Sequence, residues 1–213
     1  MKLVATSALA LSVAAGGAWA ATISTLGAET SSISPWGLPD TAAYGQSFTF
    51  GTSVDFASMT FRISSSNAIS YDAFLYEMTG ADYTDVTTGG VIASTSGATS
   101  GSGTMESYTA NFGSVILGPG TYAVLFQATS AGSANWGSNG SDATYSGGTF
   151  LFQNNGGDSS QLNGGTLGFA SFGDLAFEVT YDAIAAVPLP ASALLLGIPL
   201  AGLGFAGRKR RTA

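Results

Sequence analysis

The chain has 213 residues, with 6 Lys+Arg against 13 Asp+Glu and neither His nor Cys. Those absences remove the Ser/His/Asp triad, the thiol nucleophile and imidazole-ligated zinc or copper. Lys2 stands at the N-terminus, Arg208, Lys209, Arg210 and Arg211 at the C-terminus, and Arg62 alone lies among the acids, which run from Glu29 to Asp182. The middle of the chain therefore carries a net charge of −12 between two basic ends, and the three regions are read as having separate tasks.

Residues 1–20 begin with the charge of Lys2, continue through an apolar run from Leu3 to Ala15, and end in Gly16-Gly17-Ala18-Trp19-Ala20. That order is the one a secretory signal peptide needs, and Ala18 and Ala20 are small enough for a signal-peptidase pocket. Cleavage is expected after Ala20, with signal peptidase as the first partner.

Residues 21–186 are long enough for one domain with its own core. Glycine is 24 of these 166 residues, about twice the usual share, and Ser/Thr/Asn-rich connections separate short apolar runs. The runs have period 2 and are rich in aromatic and β-branched residues, which predicts strands over Gln46–Phe50, Met59–Ile63, Tyr71–Met78, Val91–Thr95, Ser107–Phe112, Thr121–Ala128, Thr149–Gln153 and Leu175–Tyr181. Turns are expected at Gly89-Gly90, at Gly118-Pro119-Gly120, at Asn154-Asn155-Gly156-Gly157 and at Gly164-Gly165. Eight strands without intervening helices predict an all-β fold, an antiparallel β-sandwich of jelly-roll or immunoglobulin-like type. With no disulfide available, burial of the aromatic residues has to hold it together.

The body offers few reactive groups. It has no lysine, so a Ser/Lys dyad, a Schiff base and a P-loop are all excluded. At −12 it would be repelled by nucleic acid. Carboxylate pairs such as Asp82 with Asp85, or Asp72 with Glu77, keep a glycan-active enzyme open as an alternative, although any acidic domain contains such pairs. The functional expectation is a non-enzymatic module that binds glycans, with exopolysaccharide as a partner. Trp36, in Ser34-Pro35-Trp36-Gly37, and Trp136, in Asn135-Trp136-Gly137-Ser138-Asn139, occupy turn-like contexts where a ring could serve as a platform, with Asn139 beside it for hydrogen bonding. Against that stands a structural role, in which the tryptophans cover the ends of the sandwich. No cofactor is expected. Calcium alone stays open, through Asn139, Asp142, Asn154 and Asp158, but there is no Asp-x-Asp-x-Asp-Gly spacing.

From Val187 to Gly207 the chain has 21 uncharged residues, roughly 31 Å as a helix and long enough to cross a bilayer once. The basic cluster at 208–211 follows directly and marks a stop-transfer flank on the cytoplasmic side, so the body is expected outside. Ahead of the span stands Val187-Pro188-Leu189-Pro190-Ala191, in which two prolines disfavour helix and keep the chain extended at the membrane face. This motif, the apolar span and the Arg/Lys cluster, over residues 187–213, resemble the PEP-CTERM class of sorting signals and specifically its VPLPA-CTERM variant. Leu189 stands where the commoner form has Glu. The resemblance implies recognition by an exosortase, an integral-membrane sorting enzyme that cleaves near the motif and passes the body to the cell surface or extracellular matrix. The expected organisation is thus 1–20 signal peptide, 21–186 β-sandwich and 187–213 sorting signal with a single transmembrane helix. The expected location is the inner membrane with the body outside, then the cell surface.

Overall fold

The alternation of bulky and short side chains that marks the strands also decides how they stack. In Val54–Ser65 buried and at most half-buried residues alternate, Val54 and Phe56 before an irregularity at Phe56–Ser58 and Met59, Phe61, Ile63 and Ser65 after it being buried. A strand with one such face needs a second sheet against it. The structure is a computed structural model and describes residues 20–39, 41–79, 85–140, 145–162, 168–169 and 173–184, with the backbone alone at 79, 85–89 and 168–169. The signal segment up to Trp19, Ala18 included, lies outside the described residues. So do Asp82, Asp142, Gly164-Gly165, the motif Val187–Ala191, the apolar span and the basic cluster at 208–211. Among the described residues no helix is long and apolar enough to cross a membrane.

Twelve strands, β1 (Ala20–Ser24), β2 (Ser31–Trp36), β3 (Ala43–Phe50), β4 (Val54–Ser65), β5 (Ser70–Thr79), β6 (Asp85–Ala98), β7 (Glu106–Leu117), β8 (Gly120–Ala128), β9 (Ala134–Ser138), β10 (Phe150–Gln153), β11 (Gly168–Phe169) and β12 (Phe177–Ala183), form two sheets. Every strand pairing is antiparallel. The expected all-β antiparallel sandwich is therefore what the chain forms. All eight strands read from the sequence are present, most of them longer than their apolar runs.

In the first sheet the long strand β4 is the spine. One of its edges carries β7 over Val54–Ile63, while the other carries β12 over Val54–Phe61 and then β9 over Ile63–Ser65. β1 pairs with β12, and β2 with β9. The second sheet runs β11-β10-β3-β8-β5-β6. The chain passes between the sheets at every connection except β1 to β2, β5 to β6 and β10 to β11.

The space between the sheets is filled by rings from both. Trp136 meets Trp36 at 5.2 Å, Phe61 at 4.8 Å and Tyr44 at 5.7 Å; Phe61 meets Phe126 at 5.1 Å; farther along, Phe48 stacks on Phe56 at 5.7 Å and Phe50 packs on Tyr181 at 4.9 Å. Edge and offset geometries of this kind add to the gain from burial itself. A disulfide-free domain is held here by an aromatic column running the length of the sandwich. Gly90, expected to end a strand, instead lies within β6 with φ of 78°, where the pairing with β5 shifts register. A glycine takes that conformation freely, so the strand bends and continues.

Candidate functional site

The registers give the sandwich two distinct ends. Ala20 pairs with Asp182 and Ala183 with Val54, so the chain enters and leaves the body side by side. Ser65, at the other end of β4, pairs with Ala134, which pairs with Trp36. Eleven residue steps of extended strand separate Val54 from Ser65, roughly 36 Å.

At the end remote from the chain's entry and exit, the sandwich opens between β2 of one sheet and β3 and β10 of the other. The opening is a cleft of about 240 Å³ lined by Ile33, Ser34, Pro35, Thr41, Tyr44, Phe152 and Asn154. Each wall follows from local sequence. Pro35 cannot donate to a ladder and falls where the β2–β9 pairing skips between Ile33 and Trp36, on an edge strand. Tyr44 points inward from β3, where its ring meets Phe150 edge-on at 5.1 Å and Trp136 at 5.7 Å. Phe152 stacks on Phe150 at 5.9 Å and is only half-buried, so part of its ring faces the opening. Asn154 is exposed where the chain turns at Gly156-Gly157, both of which have positive φ.

Among the described residues the lining has no charged side chain. Its polar groups are two hydroxyl-bearing side chains, Ser34 and Thr41, the phenol of Tyr44 and the amide of Asn154. Burial pushes the Tyr44 phenol up to about 12, so it stays neutral and able to donate throughout the ordinary pH range. Two aromatic rings with neutral donors and acceptors suit an uncharged, hydroxyl-rich ligand that can lie against a ring and exchange hydrogen bonds at its edge.

The tryptophan platform is corrected by the burial of both rings. Trp36 and Trp136 are each 0% exposed. Trp36 donates its Nε1–H to the Phe126 carbonyl at 3.1 Å, and Trp136 is enclosed by Phe61, Phe126, Tyr44 and Trp36. Neither can offer a face to a sugar; both are buried where β2 and β9 pair beside the Ser65 end of β4, so their role there is structural. Asn139 is buried as well, its N–H donating to the Asp174 carbonyl at 3.0 Å. Asp174 belongs to a structural strut: its carboxylate accepts from Gln46 Nε2 and from the Tyr145 N–H, each at 2.8 Å, while Gln46 Oε1 accepts the Leu175 N–H at 3.0 Å. The asparagine that reaches the cleft is Asn154.

Of the four calcium candidates, the three that are described are not gathered. Asn139 lies with Asp174 near the start of β10, Asn154 follows its far end, and Asp142 is outside the described residues. The Asp158 carboxylate is engaged locally by the Ser160 N–H at 3.0 Å and hydroxyl at 2.6 Å, which hold it below its ordinary pKa. Among the described residues no group of three or more His, Cys, Asp or Glu is placed to hold a metal ion. Of the carboxylate pairs, Asp72 and Glu77 are an odd number of residues apart on β5 and take opposite faces of the strand. Asp82 is outside the described residues, as is the side chain of Asp85.

No family model matches the chain, and no curated protein matches it. Among solved structures, CsCBM6-3 from Clostridium stercorarium in complex with cellobiose is similar over 63% of this chain and 93% of that one, at 15% identity and a TM-score of 0.29. A likeness at that score carries no weight for either fold or ligand.

Proposed function

We propose that this chain is an exported, membrane-held surface protein, sorted through its C-terminal signal, whose body binds a neutral glycan in the cleft beside Tyr44 and Phe152. The observation that carries the binding half is the lining itself: aromatic rings and neutral hydrogen-bonding groups, with no charge among the described residues, at the end of the sandwich remote from the chain's entry and exit. The strand order supports the jelly-roll form of the sandwich, since β2-β9-β4-β7 in one sheet faces β3-β8-β5-β6 in the other, the arrangement of two interlocked Greek keys. A binding module is favoured over a carboxylate-dependent hydrolase because no carboxylate lines the cleft among the described residues.

The test of binding is retention of the full chain, in detergent, on a panel of neutral and uronic-acid polysaccharides. Retention on neutral polymers, weakened by Phe152→Ala with a much smaller fall in melting temperature than Trp136→Ala causes, is the expected result. Retention on acidic polymers alone, or on none, would remove the reading.

The sorting half rests on the order of motif, span and basic cluster. Its test is export of two variants. Each charge carried to mid-bilayer costs about 2.5 to 3.5 kcal/mol, so replacing Arg208, Lys209, Arg210 and Arg211 together by Ser lowers the barrier that retains the tail. The body is then expected to leave the membrane unprocessed. Pro188→Ala with Pro190→Ala should instead keep membrane retention and lose processing. Normal processing of the tail variant would show that the cluster is not the retaining element.

A further inference from the structure

One row of side chains on the outer face of the first sheet is electrostatically incomplete. Asp182 of β12 stands directly opposite Asp55 of β4, and two like charges in that position oppose pairing. Asp55 is served by the Ser114 hydroxyl, at 2.7 and 2.8 Å to its two oxygens, which supplies a donor but no charge. Arg62, the sole base among residues 21–186, stands farther along β4, 3.9 Å from Glu29 and donating to the Met105 carbonyl at 3.1 Å. The body therefore has no side-chain cation for this row.

One further cation is available to a processed chain. The row continues from Asp182 to Ala20, the residue after which signal cleavage is expected, and the next pair in register is Ala21 with Tyr181. Cleavage after Ala20 turns the Ala21 amide nitrogen into an α-ammonium without moving it along the strand. Its ordinary pKa is about 8, so it is charged at neutral pH. Because β1 is held by four further pairs, from Ala21 to Ser24, the new terminus stays in place beside β12.

We propose that the α-ammonium released at Ala21 by signal cleavage docks on Asp182 and, beyond it, Asp55, so that processing itself completes the charge balance at the end of the body nearest the anchor. The inference rests on cleavage after Ala20. The uncut chain carries two facing carboxylates and a neutral peptide bond; the cut chain carries the same carboxylates with a cation alongside. Maturation then tightens β1 onto β12, and the precursor is the looser form. The charged or titratable groups near the new terminus are Asp182, Glu178 and Tyr181 on β12 and Asp55 on β4. The Tyr181 ring turns inward to Phe50, leaving the carboxylates as the groups that act on the amine.

The test compares the chain beginning at Ala21 with its α-acetylated counterpart, both full length to Ala213 in detergent, each as wild type and as Asp55→Asn with Asp182→Asn. Acetylation should lower the melting temperature of the wild type by about 2 to 4 °C and leave the doubly substituted chain within about 1 °C. The amine should also titrate above its ordinary value in the wild type and at it in the substituted chain. A raised pKa favours the charged, docked state. The added stability is therefore fully present below about pH 8 and is lost as pH rises through the folded value. An equal effect of acetylation in both backgrounds, or an amine that titrates identically in both, would overturn docking. Mass spectrometry of the N-terminus of exported protein checks the cleavage position separately: a terminus elsewhere removes the biological premise, whatever the four-way comparison gives.

Discussion

The two ends of this sandwich are built from different chemistry. Where the chain enters and leaves, residues sit on regular strands in tight register, and the outer face there carries Asp55, Asp182 and the exposed Ile116 and Ile184. At the remote end the strands give way to connections rich in Ser, Thr, Gly and Asn, and the cleft between the sheets is neutral and partly aromatic. Charge on an open sheet face can be solvated cheaply. A cleft with a buried floor cannot hold an unpaired charge without a large cost, so its recognition has to come from rings and neutral hydrogen-bonding groups. One end suits attachment, the other suits contact with an uncharged partner.

The sharpest way to break this comparison is to attack the column of rings that joins the two ends. Trp136→Ala should destabilise the body by about 3 to 5 kcal/mol, the range for deleting a fully buried large aromatic residue, because Trp136 touches Trp36, Tyr44, Phe61 and Phe126 at once. Chemical denaturation should show a lower midpoint with an unchanged slope. A variant as stable as the wild type would mean that the ring is not the keystone its burial indicates.

A smaller effect separates cleft from core. Phe152→Ala removes a half-buried ring at the opening, and glycan affinity should fall about tenfold, the scale of one lost aromatic contact, with much less cost to stability than Trp136→Ala. Titration calorimetry against a neutral oligosaccharide, alongside a melting curve, distinguishes the two. If stability falls as far as in the Trp136 variant, Phe152 is part of the core and the cleft is an incidental gap. Asn154→Ala, which removes one exposed hydrogen-bonding group, should weaken binding only a few-fold in the same assay.

The errors in reading the sequence have one physical origin. The eight strands legible from period-2 alternation carry runs rich in aromatic or β-branched residues and lack an internal proline, although in β6 Val91 and Ile92 are exposed and Ala93 is the residue packed on the core. β2 contains Pro35, and in β9 Gly137 directly follows Trp136, so both read as turns. β1 is short and straddles the expected cleavage site. Both tryptophans lie on these two strands, so the sequence leaves a platform and a structural role open; once β2 and β9 are strands at one end of β4, their inward positions can only be core. The cleft was illegible for a related reason. It depends on the gap between β2 and β10, whose members are more than a hundred residues apart in the chain, and local alternation carries no information about which sheet edges leave such a gap. Asn154 was legible as a polar turn residue, but its place beside Tyr44 was not.

The smallest expected effect is one of pH, and it tests the neutrality of the cleft. Among the described residues Tyr44 is the only titratable one in the lining, and the chain has no histidine. Burial holds its phenol up to about 12, and it does the same for Tyr71 and Tyr76 on the second sheet. In the unfolded chain these phenols ionise near 10. A group whose pKa is raised on folding favours the folded state below its unfolded value, so this contribution is intact below about pH 10 and is lost as the pH rises towards 12. Glycan affinity and thermal stability should therefore part company at alkaline pH. Affinity should stay flat from about pH 6 to beyond 10, because the cleft keeps its neutral donor for as long as the protein is folded, while the melting temperature starts to fall near 10. Tyr44→Phe should reduce that fall slightly, because one of the three phenols has been removed. Affinity that declines near pH 10 in step with phenol ionisation would place Tyr44 in open solvent and undo the description of the cleft as a site with a buried floor.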